Sequence, residues 1–141
     1  MTSVERVMTY TGIKSEPGYK VEQNPPEIWP NEGSIAFKKV SLTYSSGGPR
    51  ILKNITLNIN GGAKLGIAGR TGAGKSSFVA ALMRMPEAGG DILIDNINIG
   101  SINLQECRRA ITVLRQNPAL FSGTVRQNLD LMEQFHPSKK R

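Results

Sequence analysis

Apolar and polar side chains change their spacing several times along the chain, and each spacing predicts a different element. Residues 34–44 and 52–59 carry apolar side chains that largely alternate with polar ones, which is typical of strands with one buried face. Between them, residues 45–49 contain only serine, glycine and proline and predict a turn. The two runs therefore predict an antiparallel strand pair with one face toward solvent.

The pattern then changes to short apolar runs and helical spacing. Residues 65–68 read Leu-Gly-Ile-Ala, which is typical of a buried parallel strand. Apolar residues at helical spacing follow from Phe78 to Met85 and predict a helix. The alternation around Asp95 and Asn96 predicts a hairpin. Farther along, we expect a short helix at 104–110, a strand at 111–114, and a loop leading into a helix at 121–131.

The first 31 residues differ from the rest of the chain. Thr2 or Ser3 is a suitable N-cap for a short helix over residues 2–7, and Glu5 is placed to complete a capping box. Prolines then recur at positions 17, 25, 26 and 30. Because proline removes a backbone donor and disfavours helix, residues 12–31 are predicted to be extended. The expected organisation is a linker at 1–31 followed by one domain at 32–141.

Composition limits the class of protein. The chain has 141 residues, of which 38% are hydrophobic and 21% charged, and this fits one globular domain. Its apolar runs are far shorter than the ~18 residues of a bilayer span, and its opening does not read as a secretory signal. The single cysteine, Cys107, excludes an internal disulfide and fits a small packing residue. These features favour an intracellular protein.

The chain is basic, with 18 Lys and Arg against 11 Asp and Glu and a net charge of +7. Such a charge suits a nucleic acid, an anionic membrane surface or a phosphate-rich small ligand. The basic residues are scattered apart from the terminal run at 138–141, and no RNA-binding aromatic motif, helix-turn-helix or zinc finger accompanies them. A stand-alone module that binds nucleic acid or an anionic surface, with steep salt dependence, is therefore the alternative interpretation.

The strongest chemical signal is the stretch GRTGAGKS at residues 69–76, a complete match to the phosphate-loop pattern G-x-x-x-x-G-K-[ST]. Its glycines let the backbone curl so that consecutive N–H groups face phosphate oxygens. A helix starting near Gly74 adds the positive end of its dipole. Lys75 brings a cation to the β- and γ-phosphates, and the Ser76 hydroxyl can bind Mg²⁺. The loop predicts a nucleoside triphosphate site.

Two flanking stretches narrow the family. LTYSSGGP at residues 42–49 precedes the loop, and VLRQNPALFSGTVRQNLD at residues 113–130 follows it. With the phosphate loop, they resemble the nucleotide-binding domain of an ABC transporter, and more narrowly the second such domain of the C-subfamily, the multidrug-resistance-associated-protein type. The opening MTSVERV resembles the junction between the last transmembrane helix and that domain. The resemblance therefore spans essentially the whole chain.

The resemblance implies an α/β fold of the P-loop NTPase type, with an antiparallel β-subdomain and a truncated RecA-like core that includes part of a parallel sheet. It implies ATP and Mg²⁺ as ligands. Tyr44 matches the aromatic residue that stacks on adenine, so Tyr44→Phe should largely preserve binding. Gln116 matches the glutamine that contacts Mg²⁺ or the attacking water. The implied nucleotide-binding residues are Tyr44, Gly69, Arg70, Thr71, Gly72, Ala73, Gly74, Lys75, Ser76, Ser77 and Gln116, with Ser76 and Gln116 also at the metal.

The sequence also departs from the family pattern. Arg115 and Asn117 flank Gln116 where the family usually has a proline and an acidic residue. The signature motif, the Walker B aspartate, the catalytic glutamate and the switch histidine are not matched, so no residue is assigned a catalytic role. Asp95 follows an apolar run like that of Walker B but suits the predicted hairpin, and His136 fits a tail residue. We expect the chain alone to bind ATP without appreciable hydrolysis.

In the family, two nucleotide-binding domains enclose two ATP molecules, and hydrolysis drives export through membrane domains. The resemblance therefore implies ATP binding within an ATP-driven transmembrane exporter. The implied partners are transmembrane domains and a second nucleotide-binding domain, without nucleic acid. The implied location is the cytoplasmic face of a membrane.

Overall fold

The computed structural model describes residues 2–19, 21–114, 117 and 120–130. None of the helices in these ranges is long and apolar enough to cross a membrane. The elements, in chain order, are α1 (Ser3–Thr11), β1 (Ile35–Leu42), β2 (Leu52–Ile59), α2 (Lys75–Leu82), β3 (Gly89–Ile94), β4 (Ile97–Asn98), a 3₁₀ turn (Ile99–Ser101), α3 (Leu104–Arg109) and α4 (Val125–Leu129).

The four strands form one sheet in the order β2-β1-β3-β4, and every pairing is antiparallel. Ile35 of β1 lies opposite Ile59 on one side and Ile94 on the other. The strand pair predicted from residues 34–44 and 52–59 is therefore confirmed. With its antiparallel sheet and helices, the structure fits the predicted α/β class.

Strand β1 carries the centre of the core. Phe37, Val40 and Leu42 on this strand have no exposed surface. The ring centroid of Phe37 lies 4.4 Å from that of Phe78, so α2 packs directly on the sheet. The other buried apolar residues are Leu52, Ala81, Ile92, Ile94, Ile99, Ile102, Leu104 and Cys107.

Several short elements form where the sequence predicts them. Asp95 and Asn96 both have positive φ, 47° and 64°, and connect β3 to β4 in the predicted hairpin. Helices α3 and α4 lie within the predicted ranges. Thr2 caps α1 through the Glu5 N–H, and the Glu5 carboxylate accepts the Thr2 N–H at 2.7 Å. The predicted capping box is confirmed, although the helix extends to Thr11.

Two predicted strands are not formed. Residues 65–68 and 111–114 are neither helix nor strand, and Leu65, Ile67 and Leu114 are 49%, 45% and 93% exposed. The parallel sheet that these residues were expected to build is absent from the described part of the chain. An apolar strand needs hydrogen-bonded neighbours, and the described residues give these two segments no strand partner.

Residues 12–19 and 21–34 contain turns but no helix or strand, and hydrogen bonds fasten them to the fold. In α3, Arg108 donates to both carboxylate oxygens of Glu16, at 2.7 and 3.1 Å. The same guanidinium donates to the carbonyls of Met83 and Arg84 just after α2. Arg84 is buried, and its charge is paired with Glu87 at 2.9 Å.

Candidate functional site

The phosphate loop turns back toward the start of β2. Gly72 and Gly74 have φ values of 82° and 89°, a conformation that glycine adopts without strain. A Cβ at Gly74 would lie 3.3 Å from a methyl carbon of Ile51, so little room exists for a side chain there. The two glycines therefore allow the loop to curl against the β1–β2 pair.

Helix α2 begins at Lys75, as the phosphate-loop pattern predicts. Its N-cap is Gly74, which has no side chain to accept a hydrogen bond from the first turn. The first N–H groups of a helix have no partner inside the helix, and here no capping side chain serves them. This end of α2 can therefore bind an anion.

Lys75 is the first residue of α2, and its side chain reaches back to the beginning of the loop. Its Nζ donates to the carbonyl of Gly69 at 2.6 Å and to the carbonyl of Arg70 at 2.8 Å. The two carbonyls belong to the beginning of the loop and the lysine to its end. The ammonium group is thus held inside the loop, close to the helix N-terminus.

Tyr44 faces the same region from the segment that follows β1. Its hydroxyl donates to Ser77 Oγ at 3.0 Å. The Tyr44 side chain is half exposed, whereas Ser77 in the first turn of α2 is buried. This hydrogen bond joins residues 33 positions apart and places the aromatic ring beside the phosphate loop.

Tyr44 and the loop share an open groove of about 480 Å³, a size within the usual range for small-ligand pockets. Ile51, which no motif in the sequence identifies, also lines the groove. Its N–H donates to the Leu42 carbonyl at 2.8 Å, which closes the turn between β1 and β2. Its position just before a strand is the only sequence signal for it. The groove is lined by Tyr44, Ile51, Thr71, Gly72, Gly74, Lys75, Ser76 and Ser77.

Three other predicted site residues are not among those that line the groove. Gly69, Arg70 and Ala73 belong to the loop, and Ala73 N–H donates to the Arg70 carbonyl at 3.1 Å. Gln116 and the neighbouring Arg115 lie outside the described residues. The structure therefore brings Tyr44 and the phosphate loop together and gives no position for the predicted glutamine.

Among the described residues, no group of three or more His, Cys, Asp or Glu side chains is placed to hold a metal ion. Mg²⁺ prefers six oxygen ligands and commonly takes several of them from phosphate and water. The Ser76 hydroxyl in the groove can supply one such oxygen. The donors among the described residues fit a metal that arrives with a nucleotide.

Asp95, which resembles a Walker B residue in sequence, lies on the hairpin. Its carboxylate accepts N–H donors from residues 31–34 at 2.7 to 3.1 Å. The hydrogen bond from the Gly33 N–H, together with those from Ser34 and Asn31, holds the pKa of Asp95 well below its usual range. The carboxylate therefore holds residues 31–34, which come just before β1, against the β3–β4 hairpin.

The ABC transporter family model matches residues 52–141 of the chain. The chain is 47% identical over 130 residues to human ATP-binding cassette sub-family C member 4, covering 92% of this chain and 10% of that protein. It is 46% identical over 137 residues to the ATP-dependent bile acid permease of Saccharomyces cerevisiae, covering 96% of this chain and 8% of that protein.

A third relative is the oligomycin resistance ATP-dependent permease YOR1 of Saccharomyces cerevisiae, with 49% identity over 133 residues, 92% of this chain and 9% of that protein. The chain therefore spans a tenth or less of the length of these relatives. The matches do not favour the alternative of a stand-alone basic binding module. The chain belongs to the ABC transporter family and, within it, to the C-subfamily.

Proposed function

We propose that the groove between Tyr44 and the phosphate loop binds Mg·ATP, and that the chain serves as the nucleotide-binding part of an ATP-driven membrane exporter. The observation that carries the proposal is the hydrogen bond from Tyr44 to Ser77, which unites an aromatic ring and a phosphate loop in one groove. A nucleoside triphosphate has the matching parts, a flat base and a polyanion.

The phosphates lie at the start of α2 in this proposal. The helix end attracts negative charge, the glycine conformations allow close approach of the backbone, and Lys75 supplies a cation. Ser76 provides a hydroxyl oxygen for Mg²⁺, while phosphate oxygens and water complete its ligands. Gln116 is proposed as a further metal ligand on the family resemblance alone.

The adenine stacks on Tyr44. The ring is half exposed and borders the groove, so one face is available to a base. Stacking on an aromatic face is tolerant of base identity. Selection of ATP therefore depends on contacts beyond the ring itself.

Membership of the ABC transporter family supports a membrane setting for this site. Two of the relatives are described as ATP-dependent permeases. We propose that residues 1–31 connect this chain to a preceding transmembrane domain, and that residues 32–141 form part of a nucleotide-binding domain at the cytoplasmic face of a membrane. The proposed partners are transmembrane domains and a second nucleotide-binding domain.

Calorimetric titration of the full chain with Mg·ATP tests the site. Lys75→Ala removes the loop cation, so ATP affinity should fall by about tenfold or more, in line with ~1.5–3 kcal/mol for a charge-assisted contact. Lys64→Ala is the matched control, because Lys64 is exposed and does not line the groove. Equal ATP binding by the wild-type chain and Lys75→Ala would contradict the proposal.

A further inference from the structure

We propose that Ser77 is a positioning residue for the adenine-stacking ring, because its hydrogen bond with Tyr44 fixes that ring relative to the phosphate loop. This inference rests on the proposed function. It assigns to the Tyr44 hydroxyl a role that stacking alone does not require.

The exposed ring of Tyr44 needs a contact that fixes its direction. Tyr44 is 55% exposed, and the residues from Ser45 to Gly47 that follow it are exposed as well. An exposed side chain samples several rotamers unless a contact selects one. The bond from the Tyr44 hydroxyl to Ser77 Oγ, at 3.0 Å, is such a contact and fixes the direction of the ring.

Ser77, which accepts this contact, is held firmly in the fold. Ser77 is 6% exposed and is the third residue of α2, directly after Ser76. The helix packs on the sheet through Phe78, whose ring contacts Phe37. The position of Ser77 is thereby tied to the core, and the Tyr44 ring takes its place relative to the phosphate loop from it.

The hydrogen bond between Tyr44 and Ser77 changes the expectation for Tyr44→Phe. The sequence alone predicts that phenylalanine preserves binding because the aromatic face remains. Loss of the hydroxyl frees the ring, so we expect ATP affinity to fall by about three- to tenfold, the range of one neutral hydrogen bond. The loss should remain smaller than that of Tyr44→Ala, which removes the ring as well.

A double-mutant cycle on the full chain tests the inference. Binding of Mg·ATP and of Mg·tripolyphosphate, which lacks a base, is measured by calorimetry for the wild-type chain, Tyr44→Phe, Ser77→Ala and the double variant. Tyr44→Phe should weaken ATP while leaving tripolyphosphate within about twofold. In the Ser77→Ala background, Tyr44→Phe should have little further effect on ATP, because the bond is already lost.

Two further variants complete the experiment. Ser46→Ala removes an exposed hydroxyl from the turn after Tyr44 and should change neither affinity. Ser77→Thr keeps the accepting oxygen and should restore the sensitivity of ATP binding to Tyr44→Phe. If Ser77→Ala does not fold, the comparison of Tyr44→Phe with the wild-type chain carries the test: binding of ATP should weaken and binding of tripolyphosphate should not.

The outcomes separate the two proposals. Additive effects of Tyr44→Phe and Ser77→Ala on ATP, or equal weakening of ATP and tripolyphosphate by Tyr44→Phe, would overturn the positioning role while leaving the nucleotide site intact. Failure of the wild-type chain to bind either probe, or binding insensitive to Lys75→Ala, would overturn the proposed function itself.

Discussion

Ser34 and Asp95 lie 61 residues apart in the sequence, and each donates hydrogen bonds to the other. The Ser34 N–H and hydroxyl both donate to Asp95 Oδ1, at 2.7 and 2.9 Å. The Asp95 N–H donates back to the Ser34 carbonyl at 2.9 Å. Because the partners come from the residue before β1 and from the β3–β4 turn, this contact closes the sheet against the segment that precedes it.

The low pKa of Asp95 predicts a pH dependence of stability. The unfolded carboxyl titrates near ~3.9, whereas the folded group titrates lower, so the unfolded state binds the proton more readily. The contribution of Asp95 is therefore complete above about pH 4 and is lost as the pH falls toward the folded pKa. The free energy of unfolding, measured by urea titration at several values between pH 2 and 7, tests this pH dependence.

Asp95→Asn should flatten this acid dependence and lower stability at neutral pH, because asparagine tolerates the positive φ but loses the charge. The matched control is Asp91→Asn, since Asp91 on β3 accepts one hydrogen bond from Asn98. If the stability of Asp95→Asn falls with decreasing pH as steeply as that of the wild-type chain, Asp95 is not the group responsible for the acid dependence.

The ion pair between Glu16 and Arg108 should control the local unfolding of residues 16–19. Hydrogen bonding to Arg108 lowers the pKa of Glu16 and holds residues 16–19 near α3. Glu16→Gln removes this charge, so amide hydrogen exchange in residues 16–19 should become faster. Glu22→Gln, at an exposed position nearby, is the control. Unchanged exchange in Glu16→Gln would show that other contacts hold the segment.

Phe37 should be among the most sensitive core positions. It has no exposed surface and its ring contacts Phe78, so Phe37→Ala leaves a cavity between α2 and the sheet. The expected cost is ~3–5 kcal/mol in the free energy of unfolding, measured by denaturant titration. Phe121→Ala, at a side chain that is 59% exposed, should change it by less than ~0.5 kcal/mol. Similar losses in both variants would contradict this packing.

Removal of the Tyr44 ring should weaken ATP binding by ~1–3 kcal/mol, the usual value of one base–aromatic stack. Tyr44→Ala is compared with Tyr10→Ala, which truncates another exposed tyrosine on α1. Equilibrium titration with ATP gives both affinities. If the two variants bind ATP equally well, the base does not stack on Tyr44.

The sequence predicts well those elements whose signals are local. The Thr2–Glu5 capping box, the Asp95–Asn96 turn and the antiparallel pair of β1 and β2 each depend on residues close together in the chain. The phosphate loop belongs to the same class, because its glycines and Lys75 act within eight residues of one another. Pattern and structure agree in these places.

Features that depend on distant partners are harder to predict. Residues 65–68 have the composition of a strand, yet a strand forms only when another backbone pairs with it. The clamp of residues 31–34 by Asp95 and the bond from Tyr44 to Ser77 each join separate segments without a local motif. Their prediction requires knowledge of how the sheet and α2 pack.

The two carbonyls that hold Lys75 change the meaning of an affinity measured at the loop. The ammonium already donates to Gly69 and Arg70 before any anion arrives. An incoming phosphate therefore enters a substitution reaction, in which hydrogen bonds to neutral carbonyls are exchanged for bonds to a charged oxygen. The observed binding free energy is the difference between the two sets, so mutations that alter the loop carbonyls can change affinity without touching the ligand.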